Sequence, residues 1–170
     1  AAPRRAVRAR AVAAAAQAPT VADTKRRFLE AYPKPIPAMY NVVVQELLVQ
    51  QHVMRYNTKY TYDPVSALGF ISVYDGIMEG APVEASAIFE AYIGALEQDP
   101  GEYRRDAEAL EAWAGAAQGV DGVMPRDDGD ETQRQLAALK GTLFYSKFFA
   151  IGLFRMLELA GATEPESLKA

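Results

Sequence analysis

Apolar residues recur at intervals of three and four along most of the chain, and no strand-period alternation of useful length interrupts them. The clearest stripe joins Ile36, Tyr40, Val43, Val44, Leu47, Leu48 and Met54, with Gln51 as its polar member, and predicts a long amphipathic helix. Ahead of it, Asp23 or Thr24 is placed to cap a short helix through Tyr32, with Phe28 and Leu29 as apolar anchors. Pro33, Pro35 and Pro37 separate the two, because each removes a backbone donor and fixes φ; Pro37 itself suits the first turn of the second helix. After a polar break at Asn57 to Thr61, Asp63-Pro64 restarts a helix in cap-then-proline order, running to Met78 with Gly80 placed to end it left-handed.

The pattern continues to the C-terminal side. A helix over about Val83 to Glu97 turns Ile88, Phe89, Tyr92, Ile93 and Leu96 inward. Asp99-Pro100 opens the next, through about Gln118, burying Tyr103, Ala107, Leu110 and Trp113. Glycines and acids from Gly119 to Asp130 read as a loop long enough to be mobile. Asp130 caps a helix through Leu136 and Leu139. The last run, LFYSKFFAIGLFRMLELA, is apolar around most of its girth and reads as the central helix of the bundle. Lys147 and Arg155 bracket too few uncharged residues to cross a bilayer, which needs about 20. Gly152 inside that helix predicts a neighbouring helix packed close against it, since glycine there gives up about 1 kcal/mol of propensity relative to alanine. The expected fold is all-α, a single-domain helical bundle of six to seven helices over residues 22–160.

Composition narrows the chemistry. The chain has 170 residues, no cysteine and a single histidine, His52, which excludes disulfides, thiolate metal sites and a two-histidine metal site. His52 alone on a helix reads as a packed or surface residue, because a catalytic role needs convergent partners. Glu46 has Val49 and Gln50 one turn away and no second carboxylate to work with. Neither a phosphate loop nor a dinucleotide fingerprint occurs. No catalytic, cofactor or metal residue is therefore assigned, and an enzyme is not expected.

Charge is divided unevenly. Residues 1–21 hold Arg4, Arg5, Arg8 and Arg10 and no acid; removing these four leaves 14 bases against 22 acids, a balance of −8 for the rest. The acidic body argues against a nucleic-acid binder. The basic, alanine-rich segment 1–21 reads as an organelle transit peptide or a disordered basic arm, with a mature start between Ala9 and Val21. Lys25, Arg26 and Arg27 beside Phe28 and Leu29 form a candidate contact for anionic lipid or an acidic partner, or else a solvated face. Tyr56, Tyr60 and Tyr62 are candidate partner contacts too, or rings that close the end of the bundle.

Five strings carry a resemblance: VADTKRRF at 21–28, PIPAMYNVVVQELLVQQHVM at 35–54, YDPVSALGFISVYDGIMEG at 62–80, DPGEYRRDAEAL at 99–110 and FYSKFFAIGLFRMLE at 144–158. Together, and in this order, they resemble the thylakoid formation protein family. The resemblance implies an all-helical, non-enzymatic chloroplast protein of stroma and thylakoid membrane, with peripheral membrane association. It implies a role in thylakoid biogenesis and photosystem II assembly and repair, with the thylakoid FtsH protease and photosystem II or its assembly intermediates as partners. A stoichiometric photosystem subunit or pigment-protein assembly chaperone is the alternative. The family continues past the position of Glu158 into further helix and a coiled-coil-like stretch, so residues 161–170 read as the start of an extension cut short here, and the loop 119–130 lacks a convincing match to the family.

Overall fold

Side-chain caps decide where most of the helices start. The structure, a computed structural model, describes residues 18–139, 141 and 144–162. Thr20 caps α1 (Val21–Ala31): its hydroxyl accepts from the Asp23 amide while the Asp23 carboxylate accepts from the Thr20 amide, a closed capping box. Asp23 thus belongs to the first turn and does not cap the helix, and Thr24 is buried. Pro37 immediately precedes α2 (Ala38–Arg55). Asp63 caps α3 (Pro64–Met78) and Asp99 caps α5 (Pro100–Ala116), each with proline in the first turn. Between them lies α4 (Ala85–Ala95). The short α6 (Gly119–Val123) precedes α7 (Glu131–Ala138), which Asp130 and Gln133 close with a second capping box. Ser146 caps α8 (Lys147–Leu159).

Among the described residues all regular structure is helical, as the apolar spacing predicts. Eight helices occur among the described residues, against the six to seven expected. The additional one, α6, lies in the stretch read as a mobile loop. Gln133 Nε2 donates to the carbonyls of Asp121, Gly122 and Met124 at 3.2–3.4 Å, and Trp113 Nε1 donates to Asp130 at 2.8 Å. Contacts from two flanking helices, with Val123 buried beneath them, therefore anchor a segment whose own sequence is dominated by glycine and acid. Of the segment read as a transit peptide, 1–17 lies outside the described residues; of the C-terminal extension, 163–170 does.

The centre of the bundle is α3, not α8. Nine residues of α3 are buried, whereas α8 buries only Phe148, Phe149, Gly152 and Met156 and leaves Leu153 and Phe154 at 36% and 60% exposure. α8 lies across α3 where two glycines meet. A Cβ on Gly152 would run into the Val65 carbonyl, and one on Gly69 into the Phe148 carbonyl and, at 2.6 Å, the Gly152 nitrogen. The close approach expected at Gly152 is present, with Gly69 as its reciprocal half.

Aromatic rings fill the space that remains. Phe70 of α3 lies 5.2 Å from Tyr92 and 6.3 Å from Phe89 of α4, 6.2 Å from Tyr103 of α5, and 5.3 Å from Phe148 of α8. Tyr74 is buried with its hydroxyl donating to the Ala85 carbonyl at 2.7 Å. α1 and α2 flank this core, contributing Phe28, Val44, Leu47 and Leu48 to it. Leu29, expected as an anchor of α1, is 56% exposed, because the inward face of that helix is set by Thr24 and Phe28 one turn apart.

Candidate interaction surfaces

With Thr24 and Phe28 facing inward, the three bases between them project around the outside of α1. Arg26 spans Asp23 at 3.4 Å and Glu30 at 3.2 Å on its own helix. Arg27 reaches across to the end of α4, where its Nη1 lies 2.7 Å from Glu97 Oε1. That atom lacks a well-directed hydrogen bond, so the contact is an ion pair held by proximity. Lys25 makes no ion pair with any described residue. The basic triplet is accordingly a set of local pairs around one lysine that makes none, and solvent screens exposed pairs of this kind strongly. Hydrogen bonds from the Thr20 hydroxyl and amide, with Arg26 beside them, hold the Asp23 carboxyl at about 2, so the first turn of α1 stays anionic at any physiological pH.

The tyrosines gather where α2 ends. Arg55 lies over the rings of Tyr56 and Tyr60, 5.5 and 5.6 Å from their centres. The Tyr56 hydroxyl donates to Glu97 Oε2 at 3.1 Å, so one carboxylate serves both Arg27 and Tyr56. Gln98 Nε2 donates to the Tyr60 oxygen at 3.1 Å, and the Tyr103 hydroxyl donates to Gln98 Oε1 at 3.0 Å. The Tyr62 hydroxyl donates to Asp106 Oδ2 at 2.8 Å, and its ring lies 5.2 Å from that of Tyr103. Burial, reinforced by Asp106, pushes the Tyr62 hydroxyl far above its ordinary range. Tyr62 and Tyr60 therefore tie the bundle end together, while Tyr56 is shared with a surface. That surface is a shallow polar concavity of about 450 Å³ lined by Pro19, Asp23, Arg26, Arg27, Tyr56 and Glu97.

Glu97 is the residue the sequence does not single out. It stands at φ 57°, a left-handed conformation that a non-glycine residue adopts at a cost of about 1–2 kcal/mol. In that conformation its side chain reaches Arg27 of α1 and Tyr56 just past α2, and partners so distant in sequence leave no local signal. Arg26, Arg27 and Tyr56 come together around it; Lys25, Tyr60 and Tyr62 do not line the concavity.

His52 lies behind this surface, buried, with Nδ1 2.8 Å from the Thr24 hydroxyl and its ring 4.8 Å from Tyr56. Burial lowers its pKa below the ordinary 6.5, and the carboxylate of Asp23 only partly opposes this. The unfolded chain therefore takes up a proton that the folded chain resists. The associated stability is fully present above about pH 6.5, falls as the pH drops through that value, and levels off below the folded pKa. His52→Gln, which keeps a polar group toward Thr24, is expected to flatten the dependence of urea midpoint on pH between 7.5 and 5.5 relative to wild type. Parallel slopes for the two proteins would count against this placement of the imidazole.

A larger groove of about 740 Å³ runs between α3, α5 and α8, floored by Ile71, Ile151 and Phe154. Its acids are paired: Asp75 accepts two bonds from Arg104 at 2.6 and 2.8 Å, and Arg155 meets Glu111 at 3.4 Å and Glu158 at 2.7 Å. No group of three or more His, Asp or Glu residues able to hold a metal ion occurs among the described residues. No helix among them is long and apolar enough to cross a membrane.

Comparison with known proteins follows the same outline. A family model described as Thylakoid formation protein matches residues 20–170. The chain is 51% identical over 163 residues to Protein THYLAKOID FORMATION1, chloroplastic, of Solanum tuberosum, covering 91% of this chain and 56% of that one. It is 50% identical to the Arabidopsis thaliana protein of the same description over 161 residues, covering 90% and 54%. Protein Thf1 of Synechococcus elongatus is 39% identical over 168 residues, covering 89% of this chain and 65% of its own length. A solved structure of Psb29 superposes with a TM-score of 0.67 at 32% identity, covering 84% of this chain and 77% of that one. The chain spans about half the length of the plant relatives it matches.

Proposed function

The chain belongs to the thylakoid formation protein family, and from that premise we propose that it is a non-enzymatic accessory protein of thylakoid biogenesis and of photosystem II assembly and repair. It works in the chloroplast, in the stroma and peripherally at the thylakoid membrane, through association with the thylakoid FtsH protease. The observation that carries the reading is identity of about half the residues to plant relatives named as chloroplastic thylakoid formation proteins, sustained over nine-tenths of the chain. The geometry supports a holding role. In the Glu97 concavity one carboxylate meets the Arg27 guanidinium as an ion pair and accepts from the Tyr56 phenol, which fixes a surface that a partner can read.

The test is comigration. Tagged chain added to isolated thylakoids, followed by mild solubilisation and native electrophoresis, is expected to move with FtsH and to leave the photosystem II bands on further washing. Lasting comigration with photosystem II, and none with the protease, would overturn the reading in favour of a stoichiometric photosystem component.

A further inference from the structure

α2 is apolar on two opposite faces, and only one of them is used. Val44, Leu47, Leu48 and Gln51 face the core, while Met39, Val42 and Val53 on the far side are 62–70% exposed. With Glu46 and the half-buried Val49, these outer residues fall at 39, 42, 46, 49 and 53. That alternation of three and four is the seam spacing by which one helix packs along another. The seam runs nearly the length of an 18-residue helix, and its flanking positions Ala38, Val43, Gln45 and Gln50 are uncharged. At its middle Glu46 is exposed, accepts only from Gln50 Nε2 at 3.1 Å, and has no cation paired with it among the described residues.

We propose that this outer face of α2 docks an amphipathic helix of a protein partner that presents a lysine or arginine to Glu46 between its own apolar seam residues. The carboxylate decides among occupants. In a parallel pair with a second copy, Glu46 would meet Glu46; in an antiparallel pair it would meet Val42 or Val49, and no seam position carries a base to neutralise it. A lipid surface covering Val42, Val49 and Val53 would have to bury the same unpaired charge. A basic residue on an incoming helix resolves it and sets the register. The face is separate from the Glu97 concavity, so the inference stands or falls independently of the FtsH reading.

Fluorescence anisotropy of the full chain against a synthetic amphipathic helix of about three heptads tests it. One peptide carries Lys at the central seam position and its twin carries Glu. Wild type is expected to bind the Lys peptide at least about tenfold more tightly than the Glu peptide, Glu46→Lys to reverse that order, and Val42→Asp to abolish both. Both substitutions fall on exposed positions of α2, so folding is preserved. No saturable binding of either peptide, or a preference indifferent to Glu46→Lys, overturns the proposal. Two further results overturn it: self-association in sedimentation that Val42→Asp removes, which assigns the face to a second copy, and binding to anionic vesicles that Val42→Asp removes, which assigns it to a membrane.

Discussion

Gly152→Leu is expected to lower the stability of this protein by about 3 kcal/mol or more, at the upper end of what overpacking costs. The reason lies in what a side chain would strike. At most core positions an added methylene meets other side chains, which change rotamer. At Gly152 the first carbon already overlaps the Val65 carbonyl, and on the facing helix Gly69 is closed off by the Phe148 carbonyl. Neither helix can yield without separating along its length, and separation would uncover Phe148, Met156 and the face of α3 they cover. Gly152→Ala isolates the effect. Alanine favours a helix over glycine by about 1 kcal/mol, so loss of stability in this variant requires that the clash outweigh the propensity gain. The control is Gly115→Ala on the exposed side of α5, where a Cβ would meet nothing within 4 Å and the same substitution is expected to stabilise. Urea midpoints for the three variants check this. A Gly152→Ala midpoint at or above that of Gly115→Ala would mean the two helices are not in backbone contact.

The contrast between those glycines bears on what a sequence displays. Starts of helices are written locally: Asp63-Pro64, Asp99-Pro100 and Asp130 name their caps because cap and helix are neighbours in the chain. Even the displaced start of α1 was available in the spacing Thr20-x-x-Asp23, with aspartate standing where a capping box more often has glutamate or glutamine. Burial is less legible. α2 and α8 are each apolar on more than one side, and periodicity does not say which side the rest of the chain covers. Hence the stripe through Val44 and Leu47 is found, the seam through Met39 and Val53 passes unnoticed, and α8 is mistaken for the centre that α3 occupies. The concavity is least legible of all. Arg27 and Tyr56 are candidates by residue type, but Glu97, which joins them, lies 70 positions from one and 41 from the other. Its left-handed backbone would sooner suggest glycine.

Phe70→Ala is the second large effect and tests the same architecture from its interior. The ring is fully buried and touches aromatic partners on α3, α4, α5 and α8, so its removal opens a hole where four helices converge. Deleting a buried phenylalanine costs about 3–5 kcal/mol when the surroundings cannot collapse, and here the close backbones of α3 and α8 prevent collapse from one side. Set against a domain stability of about 5–15 kcal/mol, that is enough to leave the variant marginal at physiological temperature. Phe154→Ala supplies the comparison: the same truncation at 60% exposure on α8 is expected to change stability by no more than about 0.5 kcal/mol. Thermal unfolding followed by helical circular dichroism separates the two. If Phe70 and Phe154 cost the same, the aromatic cluster is not what joins α3 to α4, α5 and α8, and the burial order of the bundle would have to be redrawn.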